Sequence, residues 1–255
     1  MRWIFLSPHP DDAALCAGGL IFDLVRSGAA VEIWTVFAGV PPTEDLSSFA
    51  RHMHSKWRTA SARETIEVRR REDSKAAELL GARASHFNFL DAIYRNNQDG
   101  TALYADPVGA ALDLLDAMLP AQICDVLVEG LRRDDRVVTL LGIGNHVDHV
   151  LVRRAAELLR RPLLYVADFP YILKHSESVV SGVAGMTSTL RPVSEAGVTA
   201  WIEAVCAYRS QLEAIFDRLD PGASVRDYCA RYGGVRLWAR PPGGTTGGLD
   251  SAPEA

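Results

Sequence analysis

Five short runs along the chain, 3–7, 31–36, 85–89, 125–129 and 163–167, are apolar or rich in β-branched and aromatic residues. Their length and composition predict strands. Between them, the segments 13–27, 58–80, 107–118 and 149–161 are dominated by Leu, Ala, Glu, Lys and Arg. Apolar positions there recur at spacings of three and four, which predicts helices. Strands alternating with helices define an α/β fold with a largely parallel sheet covered on both faces. The pattern blurs beyond the fifth strand. Trp201 to Leu219 reads as helix and Val235 to Trp238 as a last strand, but 170–195 has no clear period. The region 168–240 therefore reads as a substrate-side insertion. Residues 241–255, mostly Pro, Gly, Thr, Ser and acid, have little to bury. They are expected to form a flexible tail outside a single domain of residues 1–240.

Composition narrows the function classes. With 255 residues and 48% hydrophobic content, the chain can bury one sizeable core. Its 27 basic and 32 acidic residues give a net charge of -5, which argues against nucleic acid as a partner. Cys16, Cys124, Cys206 and Cys229 lie far apart, with no CxxC pair. Buried thiols in a reducing compartment fit that spacing better than a disulfide framework or a Cys-rich zinc site. The amino terminus lacks the basic and long apolar regions of a signal peptide, and no run approaches the roughly 18 apolar residues that span a bilayer. A cytoplasmic protein with no membrane partner is expected.

Chemistry concentrates where strands end. The first strand passes directly into Ser7-Pro8-His9-Pro10-Asp11-Asp12, and a helix follows that carries Gly18-Gly19 in its first turns. A dinucleotide site would need G-x-G-x-x-G at this junction. Two acids there repel phosphate and suit a cation at the carboxyl rim of the sheet. Pro10 fixes its own φ and restricts His9, so an imidazole and two carboxylates sit on a rigid turn. The second cluster is Asn145-His146-Val147-Asp148-His149 at the mouth of the fourth helix, where His146 and His149 can face the same way. Two imidazoles and a carboxylate, with water in a remaining position, make the open coordination of a catalytic zinc. Either cluster alone is weak evidence, because such spacings arise by chance. Together, at junctions that can lie side by side across a switch point, they carry more.

These two stretches resemble the LmbE-like, or PIG-L, N-deacetylases. Between them, Arg69-Arg70-Arg71-Glu72 followed by Ala76-Ala77 and Leu79-Leu80-Gly81 is similar to that family's Arg-x-x-Glu helix, so the resemblance covers residues 3–167 in order. It implies a Rossmann-like sheet and a metal-dependent hydrolase that removes the acetyl group from an N-acetylglucosamine-like amino sugar or its conjugate. It further implies His9, Asp12 and His149 as ligands of Zn2+, or of another divalent metal such as Fe2+. Asp11 would be the general base and His146 a catalytic histidine off the metal. Asp148 can orient one of the histidines through its other ring nitrogen. Two positions depart from the family pattern: Ala13 replaces a common Glu, and Gly144 replaces a Tyr found in some members. Tyr94 and Tyr171 are candidates to stand in for the latter.

The remaining candidates have plainer readings. His52 and His54 read as solvated loop histidines, His86 as structural, and His175 is unplaced. The run Arg69 to Arg71 reads as a solvated helix face, with Arg69 a candidate substrate contact. Asp91, just beyond the third strand, is placed to meet sugar hydroxyls. The segments 38–57, 91–104 and 168–195 are expected to rim the pocket. Two rivals stand beside the deacetylase: a two-His, one-carboxylate iron enzyme, and a catalytically silent sugar-binding module of the same fold. The sequence leaves a homo-oligomer open.

Overall fold

A computed structural model describes residues 1–174, 176–217 and 219–241. Seven strands, β1 (Arg2–Ser7), β2 (Ala30–Thr35), β3 (Arg83–His86), β4 (Arg136–Leu140), β5 (Leu163–Val166), β6 (Thr187–Arg191) and β7 (Val235–Ala239), form one sheet in the order β3-β2-β1-β4-β5-β7-β6. The first five are parallel, and β7 and β6 join antiparallel. The helices are α1 (Asp12–Arg26), α2 (Ser48–Trp57), α3 (Ala62–Leu79), α4 (Leu119–Gly130), α5 (Val147–Leu158), α6 (Tyr171–Lys174), α7 (Ser176–Gly182), α8 (Glu195–Cys206), α9 (Leu212–Phe216) and α10 (Pro221–Tyr232). None of the described helices is long and apolar enough to cross a membrane.

β1 is central, and its residues from Trp3 to Ser7 are all buried, as a parallel strand covered on both faces requires. α1 packs on α8, which also meets α3, while α4 packs on α5. Strand order reverses at β1, so right-handed crossovers place the α1–α3 and α4–α5 layers on opposite faces. The same reversal opens a crevice at the carboxyl ends of β1 and β4.

Three expectations from the sequence are corrected here. The segment 125–129 is not a strand but the middle of α4, where Pro120, Ile123, Cys124 and Leu127 are buried and Val126 and Val128 are exposed. That is one helical face, disguised by a short apolar run. The fourth strand is Val137-Val138-Thr139-Leu140 with Arg136, an equally short run bounded by acids and Gly142. The predicted helix 107–118 is a loop ending in a single 3-10 turn, Leu114–Asp116. The long helix expected over 201–219 is broken, with α8 ending at Cys206 and α9 beginning at Leu212. β6 and α2 lie in segments without a legible period. Of the tail expected over 241–255, all but Pro241 lies outside the described residues, as does His175.

Candidate active site

The turn after β1 is built by its own side chains. Ser7 Oγ donates to the His9 carbonyl at 2.7 Å and accepts the Ala13 N–H at 2.9 Å, while Asp12 Oδ2 accepts the His9 N–H at 2.8 Å. These bonds hold Asp11 at φ 141, a conformation that costs a non-glycine residue about 1–3 kcal/mol. Asp11 is the N-cap residue of α1 yet caps nothing with its side chain. Its carboxylate instead lines a cavity of ≈ 510 Å³, together with His9, Asp12, Arg69, Asp91, His146 and His149.

Three of these groups converge. Asp12 Oδ2 lies 3.2 Å from His9 Nδ1 and 3.3 Å from His149 Nε2. Ligands about 2.0–2.1 Å from a tetrahedral zinc are separated by about 3.3 Å, so each of these two separations suits a shared ion. The opposite ring nitrogens are held: His9 Nε2 lies 2.9 Å from Asp148 Oδ2, and His149 Nδ1 lies 2.8 Å from Asp168 Oδ1. Asp148 therefore orients His9. Ring nitrogens of His9, His146 and His149 also lie within 4.8 Å of one another. His146 has a different role in the geometry, because its Nδ1 accepts the Asp148 N–H at 3.2 Å as the N-cap of α5. That bond places the ring proton on Nε2, which makes His146 a donor.

Electrostatics separate the groups further. Burial works against the His149 cation, but Asp12 and Asp168 outweigh it and push its pKa up to about 10. His9 is likewise raised, by Asp91, Asp12 and Asp148 against its burial. The carboxylates that raise both imidazoles leave this rim rich in negative charge, which a dication would match. His146 shifts the opposite way: burial, and then the charges of His9 and His149, keep it neutral. Asp11 is raised to about 8 by burial and by the neighbouring Asp12 carboxylate, with Arg69 opposing. Asp148 is lowered despite burial by Arg95, whose Nη2 lies 2.6 Å from Asp148 Oδ1.

Arg69 is not on a solvated face. It is only 4% exposed, pairs with Asp91 at 3.1 Å and Asp11 at 3.5 Å, and lies over the Trp57 ring at 4.9 Å. Asp91 is equally buried and spends its other oxygen on the Ile93 N–H at 3.1 Å. The two face each other at the cavity wall. His54 also departs from expectation: it lies on α2, buried, and its Nε2 is 2.8 Å from Tyr94 Oη. That engages Tyr94. Tyr171 instead lines the cavity with its ring edge-on to His149, at the place a residue-144 side chain would need. His86 pairs with Asp73 at 2.9 Å, a structural contact. Sequence reasoning missed Asp168 and Arg95. Asp168 lies two residues past the end of β5, the kind of position that singled out Asp91 after the third strand.

The rim draws on each expected segment. Phe49, Met53, Lys56 and Trp57 come from 38–57, Asp91 and Ile93 from 91–104, and Phe169, Pro170 and Tyr171 from 168–195. Asp106, Pro107 and Val108, with Gln211, Ala214 and Ile215, add to it.

Comparison with known proteins gives consistent results. The family model described as PIG-L, GlcNAc-PI de-N-acetylase, matches residues 4–159. The chain is 29% identical to a 2'-N-acetylparomamine deacetylase of Niallia circulans, over 84% of this chain and 82% of that protein. It superposes on the zinc-inhibited form of a teicoplanin deacetylase with a TM-score of 0.78 and 29% identity, covering 96% of this chain and 100% of the other. A deacetylase of the A40926 pseudoaglycone matches at a TM-score of 0.69 and 28% identity, covering 93% and 96%.

Proposed function

Because the chain belongs to the PIG-L family of GlcNAc-PI de-N-acetylases and is a metal-dependent N-deacetylase of an N-acetylated amino sugar, we propose that His9, Asp12 and His149 hold the metal, that the metal is zinc, and that Asp11 and His146 do the proton and oxyanion chemistry. The observation that carries this reading is the convergence of Asp12 Oδ2 with His9 Nδ1 and His149 Nε2, while Asp148 and Asp168 occupy the far ring nitrogens.

When bound, a divalent cation here polarises an amide carbonyl and acidifies a coordinated water. Asp11 accepts the proton of the attacking water and returns it to the departing amine, so that the amide and water become acetic acid and a free amine, which part as acetate and ammonium at neutral pH. A carboxyl pKa brought near neutrality suits that work. Arg69 holds Asp11 from the cavity wall, and the strained backbone fixes its direction. His146 donates from Nε2 to the oxygen on which charge develops. Its neutrality does not weaken that function, because Asp148 N–H already fixes the tautomer.

The test is metal analysis alongside acetate release from N-acetylated sugars. Asp11→Asn should keep the metal and lose about 10²-fold or more of turnover. His146→Ala should behave likewise, whereas His149→Ala should lose the metal. Zinc is titrated from below one equivalent, since one relative is known in a zinc-inhibited form. Acetate release by Asp11→Asn at the wild-type rate would remove Asp11 as the base. Binding of metal and amino sugars by wild type without any acetate release would favour the silent binding module.

A further inference from the structure

Two successive acids of α3, Glu72 and Asp73, reach the segment that follows α8. Glu72 Oε1 accepts the Ser210 N–H at 2.9 Å, and its Oε2 accepts the Ser210 Oγ–H at 2.6 Å. Asp73 is 1% exposed and accepts the Tyr208 Oη–H at 2.8 Å. These bonds pin residues 208–210 to the helix that also carries Arg69. The next residue, Gln211, lines the cavity beside Phe169, Tyr171 and Ile215.

The pinning decides which way the Gln211 amide faces. A hydroxyl has one proton, and Ser210 gives it to Glu72. Ser210 Oγ can then only accept from Gln211, 2.8 Å away, so the end turned to it is Nε2 and the free end is Oε1. Gln211 is 3% exposed, and its side chain does not cap α9. Its Oε1 nevertheless has no partner among the described residues, and it is not one of the unpartnered atoms sealed from solvent. That oxygen opens into the cavity. An acceptor fixed in this way is stabilised by a ligand that brings a proton donor. Being neutral, it matches a hydroxyl rather than an ammonium group, which the acids of the floor would attract more strongly.

We propose that Gln211 is a specificity-determining residue whose Oε1 accepts a hydrogen bond from one hydroxyl of the amino sugar, and that Ser210 and Glu72 are positioning residues that hold the amide in that orientation. This rests on the deacetylase reading above and adds to it a group that selects the sugar.

The probe is methyl N-acetylglucosaminide with its monodeoxy analogues, one for each free hydroxyl of the sugar. One analogue should fall about tenfold or more in kcat/KM, because it leaves the fixed acceptor unpaired. Gln211→Leu should slow the parent sugar by a similar factor and no longer distinguish it from that analogue. Ser210→Ala leaves Gln211 in place but free to turn, so it should lose part of the same preference, and Ser210→Thr, which keeps the hydroxyl, should restore it. A residue that only supports the fold would slow every sugar alike. Equal kcat/KM across the wild-type series overturns the proposal, as does a preference that survives in Gln211→Leu. Should Gln211→Leu fail to fold, by circular dichroism, a preference unchanged in Ser210→Ala overturns it instead. These results leave deacetylation intact. Acetate release from none of the sugars would overturn the deacetylase reading, and this inference with it.

Discussion

Each imidazole that faces Asp12 has a carboxylate on its far nitrogen, and the two carboxylates differ in what else they hold. Asp148 also pairs with Arg95 and accepts the Ala92 N–H at 2.9 Å, so removing it breaks a buried network. Asp168 is simpler: beyond His149 its carboxylate accepts only the Ile143 N–H, at 2.8 Å, among the bonds described. Asp168→Ala frees the His149 ring to turn, and loss of such a partner typically costs 10–100-fold in metal affinity. We expect a fall of about that size in titrations against a competing chelator. Unchanged affinity would mean that Asp168 only secures the loop after β4. The ligand candidates were legible as residues because His9, Asp12 and His149 lie in two dense local clusters. Their partners were not, because Asp168 and Arg95 meet them only through the fold. Tyr171 is a similar case. A Cβ at Gly144 would meet its ring at 2.7 Å, so the space a larger residue 144 would fill is taken by a tyrosine 27 positions on.

At the scale of elements, sequence periodicity served where an element is long or fully buried. β1, β2, β5 and α3 fall within a few residues of expectation because one continuous pattern covers each. α4 was misread because Val126-Leu127-Val128 is too short a window to separate period two from period 3.6, and only Leu127 of the three is buried. α2 was missed because its short apolar stripe is interrupted by polar residues that face solvent; the stripe packs on a small separate core with Ala62, Ile66 and Tyr94 and also lines the cavity. The packing of α1 on α8 shows a rule overridden by contact. Gly18 and Gly19 sit inside α1, where Gly→Ala ordinarily stabilises a helix by about 0.5–1 kcal/mol. Yet a Cβ at Gly18 would lie 2.5 Å from Trp201 Cδ1, and Trp201 is fully buried with its Nε1 donating to the Leu15 carbonyl at 3.0 Å. Overpacking a site of this kind costs about 1–3 kcal/mol, which exceeds the propensity gain. Gly18→Ala should therefore lower stability in urea denaturation, against the helix scale. A stabilised variant would show that α8 can withdraw without cost.

Across the whole molecule, the reversal of strand order at β1 draws Asp11 and Asp12, Asp91, Asp148 and Asp168 from four separate segments to one rim. These buried carboxylates outnumber the guanidiniums of Arg69 and Arg95 that face them. Without a metal, protons supply the missing positive charge: His9 and His149 are raised above the ordinary imidazole value, and Asp11 is raised to about 8. All three shifts have the same thermodynamic sign. The folded protein binds protons that the unfolded chain has already released, so stability is full below the unfolded pKa values and declines as pH rises. For His149 the decline runs from about 6.5, the unfolded value, to about 10. A bound dication replaces those protons and stabilises the fold by mass action, by about 2.7 kcal/mol when free metal is 100 times its Kd. Chelation should therefore lower the thermal midpoint, and by more at pH 9 than at pH 6.5. Metal-loaded protein should show the flatter pH profile, and metal binding at pH 8 should release protons into a weakly buffered solution. His149→Ala, which cannot hold the ion, should show little further shift on chelation. An equal midpoint with and without chelator across this range would mean that the rim's charge is balanced without a metal.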